Sequence, residues 1–106
     1  MSLAAKVREH LISSFRVELA EHVQTMNDGL LLLEQGTVEG EARQTTLENI
    51  FRAAHSLKGA SRAMGVTMVE QLAHALESVL DDLQNDIVQP NTQLFTACYK
   101  AVDAIL

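Results

Sequence analysis

The stretch His55-Ser56-Leu57-Lys58-Gly59-Ala60-Ser61-Arg62-Ala63-Met64-Gly65 closes a segment, about residues 41–64, in which Leu47, Ile50, Phe51, Ala54, Leu57 and Met64 recur mostly three or four apart. That period marks an amphipathic helix, and Gly65 punctuates its end. The stretch holds more than packing requires. At about 100° per residue, with Ala54 at the centre of the buried stripe, Lys58 lies about 40° away, Arg62 about 80°, His55 about 100° and Gly59 about 140°. All four share one flank. An interior helical glycine costs about 1 kcal/mol relative to alanine, so Gly59 implies a compensating gain. One turn after His55, the missing side chain leaves room for a bulky group on, or approaching, the imidazole.

Working outward, residues 4–35 carry Val7, Leu11, Phe15, Leu19, Met26, Leu30 and Leu33 at helical spacing, and Gln35-Gly36-Thr37-Val38-Glu39-Gly40 ends that helix. Beyond Gly65, Thr67 is expected as an N-cap with Glu70 completing a capping box. The third helix then runs over 67–85 on Val69, Leu72, Ala73, Leu76, Val79, Leu80 and Leu83. Asp86 to Pro90 connects to a fourth helix, 91–106, with Pro90 near its first turn and Leu94, Phe95, Cys98, Tyr99, Val102 and Leu106 on its apolar side. The expected fold class is all-α: an antiparallel up-and-down four-helix bundle forming a single domain over 1–106.

Composition agrees. The 106 residues suit one core. Five glycines, one proline and four aromatics (no tryptophan) are a poor supply for a β-sandwich. Eight Lys and Arg against fourteen Asp and Glu leave a net charge of −6, which disfavours nucleic acid and anionic membranes as partners. Cys98, the single cysteine, cannot close an internal disulfide or build a thiolate metal site and is expected as a small buried hydrophobe. No run is long enough for a membrane span and no charged leader precedes an apolar signal core, so the expected compartment is the cytoplasm. Met1-Ser2-Leu3 reads as an added leader, and the apolar pattern Ala101-Val102-Asp103-Ala104-Ile105-Leu106 runs to the last residue. The chain is therefore expected to be a piece of a longer protein.

The third helix offers an acidic flank to match His55. With Leu76 as the stripe centre, Glu77 lies about 100° away, Glu70 about 120°, Asp81 about 140° and His74 about 160°. Counting back across the Gly65 turn brings His55 level with about residue 75, so Glu77 and His74 come within reach. Glu70, Asp81 and Asp82 read as a solvated face, and His10 and His22 as surface residues. A neutral imidazole is a nucleophile at cytoplasmic pH, its reference pKa being about 6.5. A carboxylate bonded to Nδ1–H would leave Nε2 free to accept a phosphoryl group, and Glu77 is the candidate for that orienting role. Lys58 would offset the charge of the incoming phosphate. Two other chemistries compete: a metal site drawn from His55, His74 and Glu77, which an adjacent lysine opposes, and a bundle that serves only as a protein-interaction module. No phosphate-binding loop of the GxxxxGK[ST] or GxGxxG type is present.

His55-Ser56-Leu57-Lys58-Gly59 continuing to Gly65, with Ile50-Phe51-Arg52-Ala53-Ala54 before it and Leu72-Ala73-His74-Ala75-Leu76-Glu77 after it, resembles the signature of histidine-containing phosphotransfer (HPt) domains. The resemblance is to those of CheA-type chemotaxis kinases and CheA-like hybrid kinases. Phe15-Arg16-Val17-Glu18 and Leu30-Leu31-Leu32-Leu33-Glu34 extend it to the first helix. The resemblance implies that His55 accepts the phosphoryl group, Lys58 assists, Glu77 holds Nδ1 and His74 joins the same hydrogen-bond network. Gly59 gives clearance; Gly59, Arg62 and Met64, the last just before the turn, are the candidate docking residues, with a solvated face as the alternative reading of Arg62. Arg62 departs from the broad pattern, which has a small residue there. The implied domain is a carrier and not an enzyme by itself. It binds no cofactor or metal: ATP and Mg²⁺ belong to the partner kinase domain and the response-regulator receiver domain it would serve.

Overall fold

The structure is a computed structural model and describes residues 2–106; Met1, part of the expected leader, lies outside them. Four helices follow one another: α1 (Leu3–Gln35), α2 (Gly40–Met64), α3 (Thr67–Gln84) and α4 (Thr92–Ile105). Each packs against its two neighbours, α1 on α2 and α4, and α3 on α2 and α4. Short connections and neighbour-only packing make this the expected up-and-down bundle.

The core is one cluster of apolar side chains drawn from every helix, including Met26 and Leu30 of α1, Ile50 and Leu57 of α2, Leu76 and Leu80 of α3, and Phe95 and Val102 of α4. Cys98 is buried among them, and burial pushes its thiol pKa up, so it stays a protonated, unreactive thiol. Ser61 is fully buried, and its hydroxyl finds no partner among the described residues.

Several local expectations are corrected. Thr67 is the first helical residue of α3 and not its N-cap; the cap position is Val66, which makes no side-chain cap bond. The reason lies in the turn before it. Gly65 takes a left-handed conformation (φ 73°), and the Gly65 and Val66 amides bond back to the Arg62 and Ser61 carbonyls. This is a Schellman closure of α2. The Val66 carbonyl then accepts from the Glu70 amide, so the next helix starts at once. The start of α4 is a residue later than expected: Pro90 lies near the first turn, as expected, and Asn91 is the N-cap, its side chain accepting from the Leu94 amide at 2.8 Å.

The early stripe of α1 is also not buried as expected: Val7 and Leu11 are each 51% exposed. With α1 at 33 residues and α2 at 25, joined by a short loop, α1 runs about 12 Å beyond its partner at 1.5 Å per residue. Met68 lies on the surface. His10 is exposed as expected, but His22 is half-buried and meets Glu18 Oε1 at 3.2 Å one turn back.

Candidate functional site

The site is built where α2 and α3 lie side by side. The tight turn at Gly65 and Val66 sets their register, and that register brings Glu77 of α3 opposite both His55 and Lys58 of α2. His55 Nδ1 lies 2.8 Å from Glu77 Oε2, and Lys58 Nζ donates to Glu77 Oε1 at 3.0 Å. One carboxylate therefore grips both side chains, an oxygen to each.

An ionised carboxylate can only accept, so Nδ1 carries the ring proton and donates it. Nε2 is left with its lone pair and has no hydrogen-bond partner among the described residues. The His55 side chain is 63% exposed while that of Glu77 is 16% exposed. The base that orients is sheltered and the nitrogen that can react faces solvent. Burial pushes the Glu77 pKa up, but the hydrogen bonds and charges of Lys58 and His55 outweigh this and hold the carboxyl below its ordinary range.

The surroundings separate the other expected residues. Gly59 sits one turn after His55, and a Cβ built there would touch nothing within 4 Å. The space beside the imidazole is open. Arg62 is exposed on the same flank and Met64 is half-buried at the end of α2. Lys58 does not stand free to meet an incoming anion; its ammonium lies on Glu77. His74 does not join the network. It is exposed and no hydrogen bond ties it to His55 or Glu77, because three residues before Glu77 it stands about 60° further round α3, toward solvent. Among the described residues no three His, Cys, Asp or Glu side chains group as metal ligands, so the rival set His55, His74 and Glu77 is not assembled.

One neighbour was not singled out from the sequence. The Phe51 ring lies parallel to the imidazole, with centroids 6.3 Å apart and planes 8° from parallel. The signal for it was the i, i+4 spacing to His55, which puts both rings on one face of α2.

Residues 10–105 match the Hpt domain family. The chain belongs to that family. Among curated proteins, this Hpt domain is similar to the chemotaxis protein CheA of Listeria monocytogenes, 40% identical over 77 residues that make up 73% of the chain and 12% of the relative. It is similar to chemotaxis protein CheA of Bacillus subtilis, 40% identical over 86 residues, 81% of the chain and 12% of the relative. It also matches chemotaxis protein CheA of Halobacterium salinarum, 34% identical over 94 residues, 89% of the chain and 14% of the relative. The Hpt domain thus spans about an eighth of the length of these proteins. No solved structure gives a significant match. Domains of this family carry phosphoryl groups and do not catalyse by themselves. No helix of this Hpt domain is long and apolar enough to cross a membrane.

Proposed function

We propose that this Hpt domain is the phosphoryl carrier of a CheA-like kinase, accepting the group on His55 Nε2 and relaying it to a response-regulator aspartate. The observation that carries the reading is the clamp itself: an exposed Nε2 on a ring whose Nδ1–H is held by a sheltered carboxylate. In the forward step the Nε2 lone pair attacks the γ-phosphorus of ATP on the kinase domain. A P–N bond forms, the P–O bond to ADP breaks, and the proton stays on Nδ1. The ring gains positive charge, which the Glu77 carboxylate stabilises as the acidic member of a catalytic triad stabilises an imidazolium. In the return step a receiver aspartate attacks phosphorus, the P–N bond breaks, and the ring leaves neutral.

Lys58 has two parts in this reading. It holds Glu77 in place and keeps a cation beside the site, where the phosphoryl group needs one. Gly59 gives clearance, and Arg62 and Met64 lie where a kinase or receiver domain would dock. ATP and Mg²⁺ reside on those partners, and the domain works in the cytoplasm as part of a longer kinase, without contact to nucleic acid or membrane. The test is incubation with a CheA-type kinase core and labelled ATP. Wild type takes up acid-labile, base-stable label and His55→Gln takes up none; equal labelling of the two would refute the assignment.

A further inference from the structure

The clamp fixes only one edge of the His55 ring. A single Nδ1–H···Oε2 bond of 2.8 Å holds that nitrogen in place but still lets the ring plane rock about the bond. The remaining constraint comes from Phe51. Its ring is parallel to the imidazole to within 8° at a centroid separation of 6.3 Å, inside the range of offset aromatic pairs, about 4.5–7 Å. Phe51 is itself anchored, being partly buried and packed against the core.

The two turns either side of His55 are thus unequal. Helical side chains lean toward the helix N-terminus, so the imidazole lies over the turn of Phe51, and any side chain at position 59 would lean over the imidazole. Position 59 is glycine, and nothing approaches its missing Cβ within 4 Å. One side of the imidazole is bordered by the offset, parallel Phe51 ring, and the Gly59 side is open.

We propose that Phe51 is a positioning residue for phosphoryl transfer: stacked on His55, it fixes the plane of the imidazole so that the Nε2 lone pair, which lies in that plane, is presented on the open Gly59 side. This rests on the carrier reading above. A phosphoryl donor must approach along the lone pair, and a misplacement of about 1 Å can cost as much as 100-fold in rate. A wall that stops the ring rocking therefore acts on the rate of transfer and not on partner affinity.

The experiment compares Phe51→Leu and Phe51→Tyr with wild type in phosphorylation by a CheA-type kinase core, alongside melting temperature and ring-proton NMR of His55. Leucine keeps apolar bulk but removes the flat face; tyrosine keeps the face. Expected for Phe51→Leu is a fall in kcat of about tenfold with KM for the domain unchanged, and His55 Hε1 and Hδ2 resonances displaced by loss of the ring current. The Nδ1–H tautomer should persist in it, since Glu77 sets it. Phe51→Tyr should stay within about twofold of wild type. A purely structural role would lower the melting temperature of Phe51→Leu and leave kcat and the His55 resonances of the folded protein untouched, which overturns the proposal. Equal slowing of the tyrosine variant also overturns it. Absence of label on wild type overturns the carrier reading and with it this role, whereas labelled wild type with an unslowed Phe51→Leu overturns this role alone.

Discussion

At the residue scale, Glu77 links the chemistry of the site to its stability. Its carboxyl titrates below its ordinary value of 4.5 in the folded chain because Lys58 and His55 favour the anion. The unfolded chain therefore binds the Glu77 proton more tightly than the folded one. The stabilisation is fully present above the ordinary carboxylate value and is lost as pH falls through the lowered one. Melting temperatures recorded between about pH 3 and pH 6 should show wild type losing stability more steeply toward acid than Glu77→Gln; parallel curves would mean that the clamp contributes nothing. The clamp was legible in the sequence because two helices joined by a glycine turn have a countable register, and counting back from Gly65 puts His55 close to Glu77. His74 was harder to place. The same count brings it within reach, and only its angle on α3 turns it out of the seam. Phe51 was readable as core-facing but not as a stacking partner, since both roles have the same spacing.

At the scale of elements, Gly29 is where α2 packs directly onto the backbone of α1. It is buried in the C-terminal part of α1, and a Cβ there would collide with the Ile50 side chain, itself only 1% exposed. The position reads in sequence as a defect in the helix and proves to be the groove into which α2 settles. Replacing it with alanine should raise helix propensity by about 1 kcal/mol, against an overpacking cost of about 1–3 kcal/mol. Gly29→Ala is therefore expected to lower stability in chemical denaturation by about 1 kcal/mol, and a rise in stability would show that α1 and α2 can separate freely. Helix ends were legible to within a residue at Gly36 and Gly65, where glycine supplies the left-handed turn. The starts were also legible to within a residue, but one cap was misassigned. At α3 the Val66 carbonyl begins the ladder without help from a side chain, so the capping pattern of Thr67 and Glu70 pointed one residue too late.

At the scale of the whole molecule, the chain measures 52 × 21 × 20 Å, and a helix of 33 residues accounts for about 50 Å of that length. The first turns of α1 project beyond the others, leaving Leu3, Val7 and Leu11 largely exposed. Periodicity alone could not foresee this, because an apolar stripe shows which face wants burial and not whether a neighbour is long enough to cover it. With so few tertiary contacts, the amides of residues about 5–13 should exchange with deuterium at rates near those of a fraying helix, while those of 47–57 and 69–80 are protected to the level of global unfolding. Uniform protection along α1 would contradict the projection.

The two-residue link at Gly65 and Val66 bears on how the molecule is made. His55 and Glu77 are only 22 positions apart in the chain, and α2 and α3 form a continuous hairpin over residues 40–84. Contacts so near in sequence cost little loop-closure entropy and form early. The nucleophile and its orienting base can therefore meet as soon as that hairpin closes, ahead of the long-range docking of α4 onto α1. Mutations that loosen the α1–α4 seam should accordingly speed unfolding while leaving the assembly of the reactive pair to a purely local event.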